Sequence, residues 1–340
     1  MDRDLTSVSG GGAGDWRFPR VWSLKTLIIL LIALAVLAHT GRRVEIDRMA
    51  GLSIDAVLHT AGLKAESPVA AAVDTVARSL FPIQLAEETP ISRIEGFDPD
   101  RKPLFSRVET RTVRSERIDP VTLETRVQTE AVEYLIEPFG YVVRVFGKLL
   151  ETLEIGLWGT VIAVVIAAPL ALAGAAPLTP HPWLRTLARG LSSLLRAVPE
   201  LISALFLVLA YGFGPIAGIL ALGLHGAGFL GKFYAEDIEN ADVKPQEALR
   251  AIGASKLKIF QFAILPQVTP QYVAYTLYIL DRNVRMATVI GLVGAGGIGQ
   301  ELKGRYDMYD YGHVATILIA IFLLVLALDH LSVRIRRKYL

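Results

Sequence analysis

The sequence predicts an all-α membrane protein of about six transmembrane helices with one polar extramembrane insert. Composition is the first reason: 52% of the 340 residues are hydrophobic and the mean hydropathy is +0.44, more than soluble domains carry. Segregation is the second. Of 35 Lys/Arg and 33 Asp/Glu, close to half fall in residues 41 to 148, and the flanking regions hold long runs almost free of charge. Thirdly, several of those runs approach the length that crosses a hydrocarbon core of about 30 Å at 1.5 Å per residue.

Residues 1 to 23 are polar and Gly-rich at first ("SGGGAG"), turn basic at Arg17 and Arg20 with Lys25 just beyond, and read as a flexible cytoplasmic tail. The first transmembrane helix is placed at 24 to 40, on "LKTLIILLIALAVLAH". That run is also as short as a signal-peptide core, and Val36 and Ala38 resemble a cleavage site, so a retained helix and a cleaved signal both fit. Either way residues 41 to 148 lie outside, as a periplasmic insert. Within it, "VAAAVDTVARSLF" has a helical pattern, Pro82, Pro90 and Pro103 mark a loop, and residues 104 to 135 read as a β-hairpin turning at Asp119-Pro120. A solvated connector suffices to explain it.

Residues 149 to 340 form the remaining five-helix core. Spans are expected at 156 to 174, 197 to 213, 215 to 232, 271 to 292 and 313 to 333. With the amino terminus inside, the inner loops receive Arg185, Arg189 and Arg196, then Lys244, Arg250, Lys256 and Lys258, then Arg334, Arg336, Arg337 and Lys338. The short outer loops receive only Lys303 and Arg305, so the positive-inside rule places both termini in the cytoplasm of a multi-pass inner-membrane protein. Arg42 and Arg43 sit on the unfavoured side of the first helix.

Several classes are excluded. A net charge of +2 without a dense basic run argues against nucleic acid as a partner. The absence of cysteine removes disulfides, thiolate nucleophiles and Cys-based metal sites. His225 has no second ligand at metal spacing and reads as packed and hydrogen-bonded, so neither metal nor cofactor is expected. No HExxH, G-x-S-x-G or paired-carboxylate array occurs in the spans, which leaves an intramembrane enzyme without catalytic residues.

The stretch "VIGLVGAGGIGQELKG" imitates a dinucleotide fingerprint, since Gly294, Gly296 and Gly299 fit G-x-G-x-x-G. The carboxylate required about 20 residues further on is missing, because "TILIAIFLL" fills that position. At the outer end of the fifth span these glycines are candidates for packing or gating instead.

Between the fourth and fifth spans, residues 234 to 270 form a cytoplasmic loop patterned as helix, break, helix. Pro245 suits a helix start, "QEALRAI" favours helix, Gly253 interrupts it, and "SKLKIFQFAIL" resumes until Pro266. "EALRAIGASKLKIFQFAILP" resembles the EAA loop of permease subunits of ATP-binding cassette importers, with Glu247, Ala248, Gly253, Leu265 and Pro266 in register. Leu249 and Ala263 depart from the pattern by apolar replacements. Over residues 149 to 340 the chain resembles phosphonate-transport permeases more narrowly, and "GAGGIG" is also similar to methionine-importer permeases.

The resemblance implies a type I importer fold like that of the methionine permease, working as a homodimer with two cytoplasmic ATP-binding subunits and a periplasmic solute-binding protein. It further implies that the hairpin around Glu247 and Gly253 couples ATP binding to alternating access. Phosphonate or a related phosphorus oxyanion, phosphite or phosphate, is the implied solute; methionine or another small solute is the alternative. A channel would share the spans but have no need of the hairpin.

Charges within the spans complete the candidates. Asp281, Arg282 and Arg285 fall near the middle of the fifth span, where an unpaired charge costs several kcal/mol. Asp281 and Arg285 share a helix face. Arg285, with Arg282, either lines a path for the anion or forms a structural pair with Asp281. Arg196 and Glu200, also four apart, are expected to pair at the inner end of the third span, with gating as the other reading. Tyr272, Tyr275 and Tyr278 suit an interface belt and helix packing.

Overall fold

The structure, a computed structural model, describes residues 24–99, 102–118 and 125–339. Its helices and strands follow in the order α1 (Leu24–Arg43), α2 (Ile46–Thr60), α3 (Pro68–Leu80), β1 (Glu87–Pro90), β2 (Arg107–Ile118), β3 (Thr125–Glu137), α4 (Gly140–Gly174), α5 (Pro182–Ala197), α6 (Glu200–Tyr211), α7 (Pro215–Asn240), α8 (Val243–Ala251), α9 (Lys256–Ile259), α10 (Leu265–Gly291), α11 (Gly297–Asp307) and α12 (Tyr311–Tyr339). Two compact units result, Met1–Ala77 and Arg78–Leu340. The first contains α1 and α2; α1 buries none of its side chains within the chain.

Among the described residues α1, α4, α7 and the stretch Tyr311–Arg334 of α12 are long and apolar enough to cross a membrane. The predicted third span differs from expectation. Its helical part is α6 alone, and Val198 and Pro199 separate α6 from α5, which lies ahead of the expected boundary at 197; the two helices meet at 87°, because a residue before proline is pushed out of helical geometry. Helix α6 has 12 residues, about 18 Å, too short to cross alone. Helix α5 is amphipathic: Trp183, Leu187, Leu191 and Leu194 are exposed along one side, as suits a helix lying at a membrane surface. The fifth predicted span is α10, 27 residues long, with Asp281, Arg282 and Arg285 within it.

Helices α4 and α7 form the centre of the larger unit. Small residues allow close approach: a Cβ on Gly159 would stand 2.9 Å from Leu222 Cβ, and one on Gly226 would stand 2.9 Å from Ala163 Cβ. Such contacts supply the dispersion attraction that holds helices together in lipid, where little hydrophobic drive remains. Ala163, Ala167, Ala171, Leu230, Ile238 and Ile279 continue this core from α4 through α7 to α10.

The insert is more structured than a connector. Strands β2 and β3 make the expected hairpin, and β1 adds to the other edge of β3, giving an antiparallel sheet of order β1-β3-β2. The predicted turn at Asp119-Pro120 lies outside the described residues, as do Arg17 and Arg20. Helix α4 begins at Gly140, ahead of the expected boundary at 149. Residues preceding β1 are fastened to the start of α12. Gln84 N–H donates to Gly312 O at 3.2 Å, Thr316 Oγ1 donates to Gln84 O at 2.6 Å, and His313 Nε2 lies 2.9 Å from Ala86 O. Glu87 also pairs with Arg144 of α4. Nearby, burial works against the Arg305 charge, but hydrogen bonds to Glu301 and Asp310 hold its pKa above the ordinary arginine value.

Candidate functional site: a helical hairpin and a buried charge cluster

The hairpin starts where Asp242 caps α8, its Oδ1 accepting from Lys244 N–H at 3.0 Å. Helix α8 ends at Ala251, and Gly253 turns the chain with φ +80° and open space around it. Glu247, Ala248 and Gly253 are exposed and Leu265 is half-buried, so most of the motif's face is free for a partner. Ile252 and Leu257 are 79% and 72% exposed, apolar side chains beside the turn. Behind them Gln267 Oε1 accepts from Asp242 N–H at 2.9 Å and ties the hairpin to α10.

Pro266 does not stop the second helix, contrary to expectation. Helix α9 passes through a π-helical turn, Phe260–Ile264, directly into α10. Pro266 lies in the first turn of α10, where a missing N–H is tolerated and a wider turn accommodates the ring. The arm therefore runs from the surface turn into the buried charges without interruption.

Of the two pairs the sequence offered, the structure contains one and not the other. Asp281, buried, pairs with Arg285 one turn on, and Arg285 is 45% exposed at its side chain. Glu200, by contrast, does not pair with Arg196. The break at Pro199 turns α6 away from α5, and Glu200 meets Arg282 of α10 and lies 3.2 Å from His225 Nε2 of α7. Arg196 lies over the Phe229 ring at 5.3 Å, and Arg282 lies 5.1 Å from the same ring.

His225 is packed and hydrogen-bonded as predicted. Its Nδ1 lies 3.1 Å from Val198 O, and its Nε2 lies 3.0 Å from Arg282 Nη2. Both fit a neutral ring donating from Nδ1 and accepting at Nε2. Two buried atoms among the described residues have no hydrogen-bond partner here, Arg282 Nη1 and Asp281 Oδ1. Tyr272 stacks on Tyr234 at 3.9 Å and Tyr275 on Phe233 at 5.2 Å, while Tyr278 is exposed.

The glycine run is a packed turn. Gly294 and Gly296 have φ +92° and +85°; a Cβ on Gly294 would stand 2.2 Å from Phe213, and one on Gly299 would stand 2.0 Å from Thr288 O. The N-terminus of α11 already holds an anion from the chain itself. Gly297 N–H donates to Glu151 Oε1 at 2.9 Å and Ile298 N–H to Thr152 Oγ1 at 2.8 Å. A helix start that cradles phosphate in dinucleotide sites is thus filled by a carboxylate of α4.

Sequence reasoning missed Glu151 in this role, and also Glu239. Glu239 receives Arg185 at 2.9 Å, Arg189 at 2.7 Å and Ala176 N–H at 2.8 Å, which joins the ends of α4, α5 and α7. Their presence as charges at span ends was visible. Their partners, 146 and some 50 to 63 residues away, were not.

With this bundle, surface hairpin and buried charge set in place, the chain's class follows: over residues 159–339 it matches the family described as "Binding-protein-dependent transport system inner membrane component", and it belongs to that family. It is a multi-pass permease subunit of an ATP-binding cassette transport system. Among its relatives, the "Putative phosphite transport system permease protein HtxE" of Stutzerimonas stutzeri is 58% identical over 76% of this chain and 99% of its own length. The "Phosphite transport system permease protein PtxC" of the same organism is 45% identical over 56% of this chain and 70% of its own. A crystal structure of an amino acid ABC transporter with histidines is 17% identical, covers 58% of this chain and 95% of that one with a TM-score of 0.50, and shares the fold.

Proposed function

We propose that this chain is the membrane-spanning subunit of an ATP-driven importer for a phosphorus oxyanion, phosphonate, phosphite or phosphate. The observation that carries the reading is the 58% identity across nearly the whole length of a relative named for phosphite transport. A relative from Mycolicibacterium smegmatis, 38% identical over 55% of this chain, is named for phosphate import. Guanidinium groups inside an apolar bundle suit such a solute, since arginine matches oxyanions in planar, paired hydrogen bonds. The methionine alternative gains no support from these relatives.

In the proposed assembly two copies of the chain form the pathway, a periplasmic binding protein delivers the solute, and cytoplasmic ATP-binding subunits grip the hairpin of Glu247, Ala248, Gly253, Leu265 and Pro266. Residues 1–23 and the carboxyl terminus lie in the cytoplasm, and the sheet of the insert lies in the periplasm. Domain closure around ATP moves the hairpin, and the unbroken course of α9, the π turn and α10 carries that movement to Arg282. Each arginine has a carboxylate, Glu200 for Arg282 and Asp281 for Arg285; Arg282 is favoured as the solute contact because its buried Nη1 has no hydrogen-bond partner. Gly294, Gly296 and Gly299 act as packing, holding α10 and α11 as one piece.

The test is uptake of labelled phosphite, phosphonate and methionine by cells carrying the chain with its ATP-binding and binding-protein partners, native against Gly253→Asp. Phosphorus oxyanion uptake that is lost in the mutant, with the permease still in the membrane, supports both solute and hairpin. Methionine uptake alone would overturn the choice of solute. Native-level uptake in Gly253→Asp would overturn the hairpin's role.

A further inference from the structure

The charges around Phe229 do not balance. Arg196 and Arg282 both lie against its ring, and the carboxylate at this place is Glu200. With His225 neutral, one positive charge is left over in a site whose walls are helices of an apolar bundle. Aromatic faces soften such an excess without cancelling it. Glu200 is 9% exposed and His225 6%, while Arg282 is 24% exposed at its side chain and Arg196 is half-buried, so water offsets the excess in part, and attraction for an anion stays stronger than at an open surface.

Hydrogen-bond accounting on Arg282 points the same way. Its Nη2 carries two N–H groups, and Glu200 and His225 accept one each. Its Nη1 also carries two, is buried, and has no acceptor. Buried donors are normally satisfied, and an orphan at a charged group is costly. Half of the guanidinium fork is therefore held by the chain's own groups, and half is buried without a partner.

We propose that Arg282 Nη1 and Arg196, both beside the Phe229 ring, form an anion subsite, and that Glu200 is a built-in counterion that occupies Arg282 while the subsite is empty and competes with the arriving oxyanion. This rests on the solute reading above. A tetrahedral phosphorus oxyanion takes the two free Nη1 hydrogens and the Arg196 charge. As it gains on Arg282, Glu200 loses, so the site binds firmly enough to accept the solute and weakly enough to release it. Glu200 is a positioning residue: it acts through Arg282 and sets the balance between capture and release.

The experiment uses the purified permease with its ATP-binding subunits, without the binding protein, so that affinity reports on the membrane site. Binding of phosphite, methylphosphonate and sulfate is titrated for native, Glu200→Gln, Arg282→Gln and the double variant, alongside uptake into vesicles by the full system. Glu200→Gln should bind phosphite at least about tenfold more tightly, about 1.4 kcal/mol, while its maximal uptake rate falls because release slows. Arg282→Gln and the double variant should both lose binding.

Equal or weaker binding by a folded Glu200→Gln complex overturns the counterion role, as does binding that survives Arg282→Gln. Absence of binding to every variant overturns the subsite. If Glu200→Gln does not assemble, Glu200→Asp, with its carboxylate drawn back by one methylene, should tighten binding severalfold, and unchanged affinity there counts against the proposal. Failure of the solute reading is separately visible: native vesicles would take up sulfate and not phosphite, with Glu200→Gln tightening sulfate.

Discussion

Arg285 and Asp281 show how one residue pair can be read before and after its surroundings are known. The sequence offered a helix-face pair or a solute path, and the geometry gives the pair, with Asp281 buried and its Oδ1 already unpartnered. Arg285→Ala should therefore destabilise the detergent-purified protein by about 1–3 kcal/mol, the usual cost of stranding a buried polar group. Adding Asp281→Asn should recover most of that loss, a coupling that separated residues would not show. Thermal unfolding decides it; a native melting temperature with uptake abolished would return Arg285 to the solute path. Gly299→Ala offers a second residue-scale check. Its Cβ would meet Thr288 O at 2.0 Å, and overpacking of this kind costs about 1–3 kcal/mol. Gly304→Ala, in open space on the same helix, should be neutral or slightly stabilising.

At the scale of elements, the ends of α4, α5 and α7 depend on one side chain. Glu239→Gln keeps an acceptor for Ala176 N–H but loses the charge facing Arg185 and Arg189. A loss of about 1 kcal/mol or less is expected, because both arginines are more than a third exposed, seen as a lower melting temperature whose deficit added salt narrows. The hairpin should behave differently. Because Gly253 stands at φ +80° with nothing within 4 Å, replacements there meet a conformational penalty of about 1–2 kcal/mol and no clash. Gly253→Asn, which tolerates this region, should retain more ATP-coupled uptake than Gly253→Val at equal membrane abundance. Equal activity of the two would mean that the turn's shape is not what the partner reads.

For the whole molecule, the lack of cysteine is an experimental asset. Single replacements Glu247→Cys and Arg111→Cys, both at exposed positions, should be labelled by an impermeant maleimide from opposite sides of the membrane. Glu247→Cys should react only in inverted vesicles and Arg111→Cys only in intact spheroplasts. Reaction of both from one side would overturn the proposed topology and, with it, the cytoplasmic site for the ATP-binding subunits.

The sequence by itself determined the class of molecule and the place of the hairpin. Both are written in local pattern: apolar runs long enough for lipid, a polar insert between them, and Glu247, Gly253 and Pro266 at fixed spacing around a helix break. It also offered the pair Asp281 and Arg285 as one of two readings, because a helix turn brings i and i+4 to one face. The tertiary structure alone decided the pairs that cross between helices. Glu200 looked toward Arg196 in sequence and joins Arg282, 82 residues away, because Pro199 redirects α6. Glu151 fills the glycine turn from 146 residues off. Such partners depend on how α4, α6, α7 and α10 pack, and packing among apolar helices is set by small residues and shape, which leave little periodic signal in the chain.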